Sequence, residues 1–311
     1  MEEKPNEIRV VRVYNAPVQL VWDAWTKLEH VEKWWGPRGF TLTTHSKELR
    51  VGGSWRYTMH GPDGTDYPNI TVYHEVEPLR KLVYDHGATE TTPPLFRVTV
   101  TFTEVDGKTT MDMVSSLPTP EAAVHVARAI KQHSGHSTWD RLAEYVDESA
   151  TGVRNFVVNR TFEAPIERVF AMFSEPEHLV RWLPPAGMTM RYIRPDIQVG
   201  ATAFFVMEGT YGAMYAHARY LTIDAPHRLV YEQQFVDEHE NPALAPGETD
   251  WPAILRNTFL FVAETPTRTR VTVTTETVGA YNEAELAAFI AERSGMTRGW
   301  NGSFDALDPL L

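Results

Sequence analysis

Hydrophobic and polar residues alternate along residues 8–14, a pattern typical of a β-strand with one buried face. Apolar residues then recur every three or four positions over residues 18–28, directly after Pro17, and this spacing predicts an amphipathic helix. A second short helix through Trp34 is expected to end at Gly36. We therefore expect one strand followed by two short helices.

Strand-like runs separated by turn residues such as Asp106-Gly107 follow these helices. The runs cover residues 41–45, 53–60, 69–76, 82–85, 96–103 and 110–117. Helical sequence follows over residues 121–146, with an interruption expected near Gly135. The order predicts an antiparallel sheet and then a terminal helix.

The same order of elements occurs twice in the chain. At a shift of 148 residues, Pro17 aligns with Pro165 and Gly52 with Gly200. The shift later grows to 159, which locates an insertion at residues 236–252 that we expect to form a surface loop. Helical sequence over residues 283–307 ends the second copy, with interruptions expected near its glycines.

A repeat of about 150 residues has the length of a whole domain. Residues 147–152 are polar and small, so we expect them to form the linker. The prediction is therefore two domains of one fold, residues 1–148 and 153–311.

Composition and charge exclude several classes of function. The net charge is −12, from 29 basic and 41 acidic residues, and no basic block is present, so neither nucleic acid nor an anionic membrane is an expected partner. The chain has no cysteine, which excludes disulfides, thiolate metal sites and a cysteine nucleophile. Without a signal-peptide pattern or a long apolar stretch, we expect a cytoplasmic protein.

Particular motifs resemble a known superfamily, the START-like, helix-grip (SRPBCC) proteins. Within it, the chain is similar to homologues of the C-terminal domain of the heat-shock protein 90 ATPase activator. In the first copy the resemblance is carried by Ala16-Pro17, Val21-Trp22-Asp23-Ala24-Trp25-Thr26, Trp34-Trp35-Gly36-Pro37 and Leu49-Arg50-Val51-Gly52-Gly53-Ser54-Trp55. In the second it is carried by Ala164-Pro165, Glu175-Pro176-Glu177-His178, Trp182, Val199-Gly200 and Gly299-Trp300.

The resemblance implies an α+β fold in each copy: a curved antiparallel sheet wrapped around a long C-terminal helix, with two short helices after the first strand. It also implies a cavity between sheet and helix. Members of the superfamily bind lipids, polyketides, hormones or other apolar small molecules, and some are cyclases or hydrolases. They share no catalytic residue set, so none is carried over to this chain.

The two copies differ at positions within these motifs. Gln198 and Ala201 of the second copy stand where the first has Arg50 and Gly53. The first copy holds six of the nine tryptophans and eight of the twelve histidines. We therefore expect the first copy to carry the larger or more functional cavity.

Candidate ligand-binding residues are aromatic and methionine side chains on the inner faces of the strands and of the terminal helix. Alternation places Trp55, Tyr57 and Met59 on one strand face, and Phe205 and Met207 on the aligned face. The full set comprises Trp55, Tyr57, Met59, Tyr73, His133, Trp139, Phe205, Met207, Tyr231 and Trp300. Such residues also fill ordinary cores, so core packing is the alternative interpretation.

The sequence gives little support for a metal site or a catalytic motif. His125, His133 and His136 have helical spacing, but Gly135 interrupts the helix and no third ligand follows at a fixed spacing, so we expect no metal. His45, His60, His74 and His86 lie singly on strands, and Arg97 and Arg256 are expected on the solvated face. Phosphate-binding glycine loops and a nucleophile elbow are lacking, so we expect neither a cofactor nor a catalytic residue.

Non-enzymatic binding of an apolar or aromatic small molecule is the preferred hypothesis, because aromatic residues line the predicted strand faces. The first alternative is a cyclase or hydrolase acting on a polyketide-like substrate, which would need a titratable group in the cavity. The second is a chaperone ATPase co-regulator, implied by the resemblance alone, with the chaperone as partner. The oligomeric state is left open.

Overall fold

The computed structural model describes residues 4–132, 137–210, 212–244, 247 and 249–311. The chain divides into two compact units, one extending to Val153 and the other starting at Arg154. Each unit has its own hydrophobic core and its own antiparallel sheet of seven strands. The tandem α+β helix-grip arrangement predicted from the sequence is therefore confirmed.

The described residues of the first unit form seven strands and four helices in the expected order. They are β1 (Glu7–Tyr14), α1 (Val18–Thr26), α2 (Leu28–Trp34), β2 (Thr41–Lys47), β3 (Ser54–His60), β4 (Asp66–Glu77), β5 (Lys81–Ala88), β6 (Phe96–Val105), β7 (Lys108–Ser116), α3 (Pro120–Gln132) and α4 (Ser137–Thr151). The strand order is β1-β7-β6-β5-β4-β3-β2.

The second unit repeats this order. Its elements are β8 (Phe156–Phe162), α5 (Ile166–Ser174), α6 (Pro176–Trp182), β9 (Thr189–Arg194), β10 (Thr202–Gly209), β11 (Gly212–Asp224), β12 (Arg228–Val236), β13 (Ile254–Thr265), β14 (Arg268–Val278), α7 (Glu283–Ala291) and α8 (Arg293–Leu307), followed by a 3₁₀ turn at Asp308–Leu310. The strand order is β8-β14-β13-β12-β11-β10-β9.

Equivalent hydrogen bonds hold the first two helices in each unit. The indole nitrogen of Trp34 donates to the carbonyl of Ala24, and that of Trp182 donates to the carbonyl of Met172, both at 2.9 Å. These bonds fasten α2 to α1 and α6 to α5. A buried indole N–H needs a hydrogen-bond acceptor. In both copies the tryptophan at this position finds that acceptor in the preceding helix.

Two expectations about helix boundaries are wrong. The segment expected to be a linker, residues 147–152, continues α4 as far as Thr151, and Gly152 with φ +76° then ends the helix because glycine readily adopts this left-handed conformation. In the second unit the break lies at Glu292, between α7 and α8, whereas Gly295 and Gly299 lie inside α8. The corresponding Gly135 lies outside the described residues.

The insertion between β12 and β13 has no regular strand among its described residues, as expected, apart from an isolated bridge between Val236 and Pro242. Trp251 near its end is buried, with its ring 6.1 Å from that of Phe289. Among the helices that the structure describes, none has the length and apolar character to cross a membrane.

Candidate functional site

The first unit has a partly open cavity of about 190 Å³ between its sheet and α4. Its lining comes from β1, β3, β5, β6 and β7, from the loop after α2, and from the first residues of α4. The lining residues are Ile8, Val10, Trp35, Gly36, Pro37, Met59, Tyr84, His86, Phe96, Val98, Met113, Ser115, Thr138 and Trp139. Most of this surface is hydrocarbon or aromatic, which suits an apolar occupant.

Trp139 forms the helical side of this cavity and is held by other tryptophans. Its ring stacks on Trp25 with centroids 5.6 Å apart and planes 11° from parallel. The rings of Trp34 and Trp35 lie 6.1 Å and 6.3 Å from it. This packing fixes the orientation of one flat aromatic wall.

The loop after α2 is fastened to α4 by two arginines. Arg38 makes a bidentate ion pair with Glu144 at 2.9 and 2.6 Å, and both side chains are buried. Arg141 donates to the carbonyls of Gly36 and Pro37 at 2.8 and 3.0 Å. Because Gly36 and Pro37 line the cavity, these contacts hold one of its walls against the helix.

His86 brings a titratable group to the cavity wall. Its ring lies 5.1 Å from that of Phe96, and its Nδ1 lies 3.5 Å from the hydroxyl of Tyr57. That hydroxyl accepts a hydrogen bond from the indole nitrogen of Trp35 at 3.3 Å. Burial lowers the pKa of His86 to about 4, so its imidazole is neutral near pH 7.

The second unit has a smaller cavity of about 100 Å³. It is lined by Phe173, Leu179, Trp182, Leu183, Tyr192, Phe205, Met207, Met214, Ala218, Tyr220, Leu229, Tyr231, Gln233, Phe235, Phe259 and Trp300. Burial raises the pKa of Tyr220 and Tyr231, which keeps both phenols neutral. Of the two cavities described, the one in the first unit is the larger, and its greater functional importance stays a prediction.

The structure divides the predicted ligand-binding residues into two groups. Met59 and Trp139 line the first cavity, and Phe205, Met207, Tyr231 and Trp300 line the second. Their role in binding stays a prediction.

The remaining predicted residues do not line a cavity described above. Trp55, Tyr57 and Tyr73 are buried in the core beside the first cavity, where the ring centroids of Trp55 and Tyr57 lie 4.1 Å apart. All three contribute to the core, as the alternative interpretation has it, and their role in binding stays a prediction. His133 lies outside the described residues.

On the outer face of each sheet, polar side chains occur at the positions that the strand alternation predicts. Arg97 pairs with Asp85 at 2.8 Å, and Arg256 pairs with Glu232 at 2.8 Å, so both arginines lie on the solvated face as predicted. Among the described residues, histidine and carboxylate side chains form no cluster of three that could hold a metal ion.

Sequence reasoning missed His86, Tyr84 and Phe96 as cavity residues. The alternation of Leu82, Tyr84 and His86 along β5 was a usable signal, because residues two apart on a strand face the same side. Each histidine was considered alone, without its strand neighbours, so the shared inward face of Tyr84 and His86 was not recognised.

Comparisons with known proteins agree with the fold. The family described as "Activator of Hsp90 ATPase homolog 1-like protein" matches residues 15–147 and 163–311. A search of curated proteins found no match.

Several solved structures are similar to about half of the chain or to nearly all of it. A protein from Staphylococcus epidermidis is 29% identical, with 48% of this chain and 93% of that one covered and a TM-score of 0.42. Protein Ms6760 from Mycobacterium smegmatis is 23% identical, with 50% and 90% covered and a TM-score of 0.42. DynU16, a protein in the dynemicin biosynthetic locus, is 17% identical, with 98% of both chains covered and a TM-score of 0.35.

Proposed function

Because the chain belongs to the family of activator of Hsp90 ATPase homolog 1-like proteins, we propose that it binds one apolar or aromatic small molecule in the cavity of its first unit. The observation that carries the proposal is an apolar cavity of about 190 Å³ with a few polar groups on its wall. An engineered cavity of about 150 Å³ with a hydrocarbon lining is large enough to bind benzene. The first cavity therefore has room for a ligand of one or two rings.

The second cavity supports the proposal less. At about 100 Å³ it is smaller than the space that holds one benzene ring. Its aromatic lining is packed closely, with Tyr231 stacked 5.5 Å from Phe259 and Trp300 lying 5.8 Å from the same ring. We therefore assign binding to the first unit and a structural role to the second.

Acid/base catalysis is the second candidate, because His86 supplies the titratable cavity group that a cyclase or hydrolase needs. A histidine with a pKa of about 4 is a weak base and is unprotonated at neutral pH. Efficient proton transfer needs a pKa close to the working pH. Binding without chemistry is therefore the better-supported function.

A matched pair of variants tests the assignment. Met59 and Met207 occupy equivalent positions, and each lines the cavity of its own unit. Tryptophan at either position would fill cavity space. The full chain is screened by native mass spectrometry and thermal shift against indole, naphthalene, 1-indanone and decanoate.

We expect at least one of these probes to bind the wild type with one-to-one stoichiometry. Met59→Trp should abolish binding, and Met207→Trp should leave the affinity unchanged, with both variants folded by circular dichroism. Binding that survives Met59→Trp, or that is lost only in Met207→Trp, would contradict the assignment to the first unit.

A further inference from the structure

Four polar side chains lie on the wall of the first cavity: Tyr84, His86, Ser115 and Thr138. Among the side chains that the structure describes, none is a hydrogen-bond partner of the Tyr84, Ser115 or Thr138 hydroxyl. The same holds for Nε2 of His86, whose only bond is made through Nδ1. None of these atoms is among the described side-chain atoms that are fully shielded and unpaired, so they are accessible from the cavity and can bond to an occupant. An occupant with matching polar atoms is therefore favoured over a pure hydrocarbon.

The groups behind His86 favour one of its two neutral tautomers. An indole N–H can only donate, so the oxygen of Tyr57 is the acceptor in its bond with Trp35. The side chain of Thr71 also lies beside this hydroxyl, and the hydroxyl proton can point to Nδ1 of His86, 3.5 Å away. A neutral imidazole whose Nδ1 accepts carries its proton on Nε2. His86 consequently acts toward the cavity as a hydrogen-bond donor.

The charge of the lining limits the ligand further. Among the described residues that line this cavity there is no lysine, arginine, aspartate or glutamate. A charged ligand would lose its hydration without gaining a counter-ion, which is strongly unfavourable in an apolar site. The cavity therefore favours neutral molecules.

The register of the sheet separates the polar groups. Tyr84, Val98 and Ser115 form one row across β5, β6 and β7, and His86 lies two residues further along β5. Strands β5 and β7 lie about 10 Å apart, because neighbouring strands are spaced by about 4.8 Å. A flat ligand beside Trp139 can thus reach His86 with one edge while Val98 contacts its apolar face.

We propose that His86 is the specificity-determining residue of the first cavity, and that it selects neutral, flat ligands that carry a hydrogen-bond acceptor, bonded by Nε2–H. This inference rests on the function proposed above and identifies its ligand class. The acceptor is a carbonyl, ether or similar oxygen on a molecule of one or two rings. Trp35 and Tyr57 are positioning residues, since they act on the ligand through His86.

The test compares 1-indanone with indane, which differ only in that a carbonyl replaces a methylene. Their affinities for the full chain are measured by NMR titration with wild type, His86→Leu and His86→Gln. The matched control is Gln233→Leu, because Gln233 lines the second cavity at the position equivalent to His86. A single hydrogen bond to a neutral group is worth about 1 kcal/mol, or about fivefold in affinity.

We expect wild type to prefer 1-indanone by about five- to tenfold. His86→Leu should remove the preference, His86→Gln should keep most of it through its amide N–H, and Gln233→Leu should leave it unchanged. Equal affinity of wild type for the two probes would overturn the inference while leaving the proposed function intact. Failure of every probe in the screen to bind would instead overturn the proposed function.

A measurement on the wild type covers the case in which His86→Leu does not fold. The ¹⁵N shifts of the His86 ring should show a protonated Nε2, and the Nε2 proton should move downfield with 1-indanone and not with indane. Protonation of the His86 ring at Nδ1 would overturn the inference. It would also be overturned if 1-indanone binds and the chemical shift of the Nε2 proton does not change.

Discussion

His86 and Gln233 occupy equivalent positions in the two units, and each lines the cavity of its own unit. Each lies two residues after a tyrosine that pairs with a tyrosine of the preceding strand, Tyr84 with Tyr73 and Tyr231 with Tyr220. The two cavities therefore share this position, where the first unit has an imidazole and the second has an amide. The amide does not titrate near neutral pH, so acid sensitivity at this position belongs to the first unit.

The first prediction concerns the pH dependence of stability. The pKa of His86 falls from 6.5 to about 4 on folding, so between these values the unfolded chain binds more protons than the native one. The free energy of unfolding of the first unit should therefore be fully present above pH 6.5 and should drop by about 3 kcal/mol as the pH falls to 4.

Urea denaturation followed by tryptophan fluorescence at pH 4.5, 5.5 and 7 measures this effect. His86→Gln should flatten the dependence, whereas His45→Gln, which removes an exposed histidine, should not. Identical pH profiles for wild type and His86→Gln would refute the prediction.

The second prediction concerns the hydroxyl of Tyr57. Tyr57→Phe removes the acceptor of the Trp35 indole N–H, which is buried, and should cost about 1–3 kcal/mol in unfolding free energy. Tyr84→Phe is the control, because the Tyr84 hydroxyl has no partner among the described protein groups, and it should change stability by less than about 0.5 kcal/mol. Equal losses of stability in the two variants would show that the hydrogen bond from Trp35 to Tyr57 does not stabilise the fold.

The third prediction concerns the buried ion pair between Arg38 and Glu144, whose side chains are only 8% and 5% exposed. Arg38→Met removes the bidentate partner of a buried carboxylate and should cost about 3–5 kcal/mol. The double variant Arg38→Met/Glu144→Leu should recover most of that loss, since neither charge then remains.

Chemical denaturation of both variants checks this. Arg219→Met, which breaks an exposed pair with Glu232 on the outer face, serves as the control and should cost less than about 1 kcal/mol. A double variant as unstable as Arg38→Met would show that packing, and not charge, dominates at this contact.

The fourth prediction concerns Lys47 on the edge strand β2. Its ammonium lies 3.9 Å from the centroid of the Trp55 ring and 3.3 Å from the hydroxyl of Tyr73. The ring favours the charged form, but desolvation outweighs it and lowers the pKa of Lys47 to about 7. Between pH 7 and 10.5 the native state therefore binds fewer protons than the unfolded chain, and wild-type stability should rise with pH.

Lys47→Met keeps the packing on Trp55 but removes the titration. The variant should gain more stability relative to wild type at pH 6 than at pH 9.5, by thermal or urea unfolding. A difference that does not change with pH would show that Lys47 titrates as an exposed lysine.

Local pattern was enough to predict the elements that build the cavity. Strand alternation placed Met59, Phe205 and Met207 on inner faces, and the internal repeat predicted two copies of one fold. The predicted helix boundaries were wrong at residues 147–152 and at Glu292. The end of a helix depends on capping and packing as much as on composition.

The sequence by itself determined the order of elements, the duplication and the inward face of each strand, because alternation and helical spacing are properties of neighbouring residues. Only the tertiary structure decided where empty volume remains. Trp55 and Tyr57 fill the space above β3 in the first unit, so its cavity lies instead against β5, β6 and β7, beside Trp139. In the second unit Phe205 at the position of Tyr57 lines the cavity directly. A cavity is what distant side chains leave unfilled, and that volume depends on how all of them pack together.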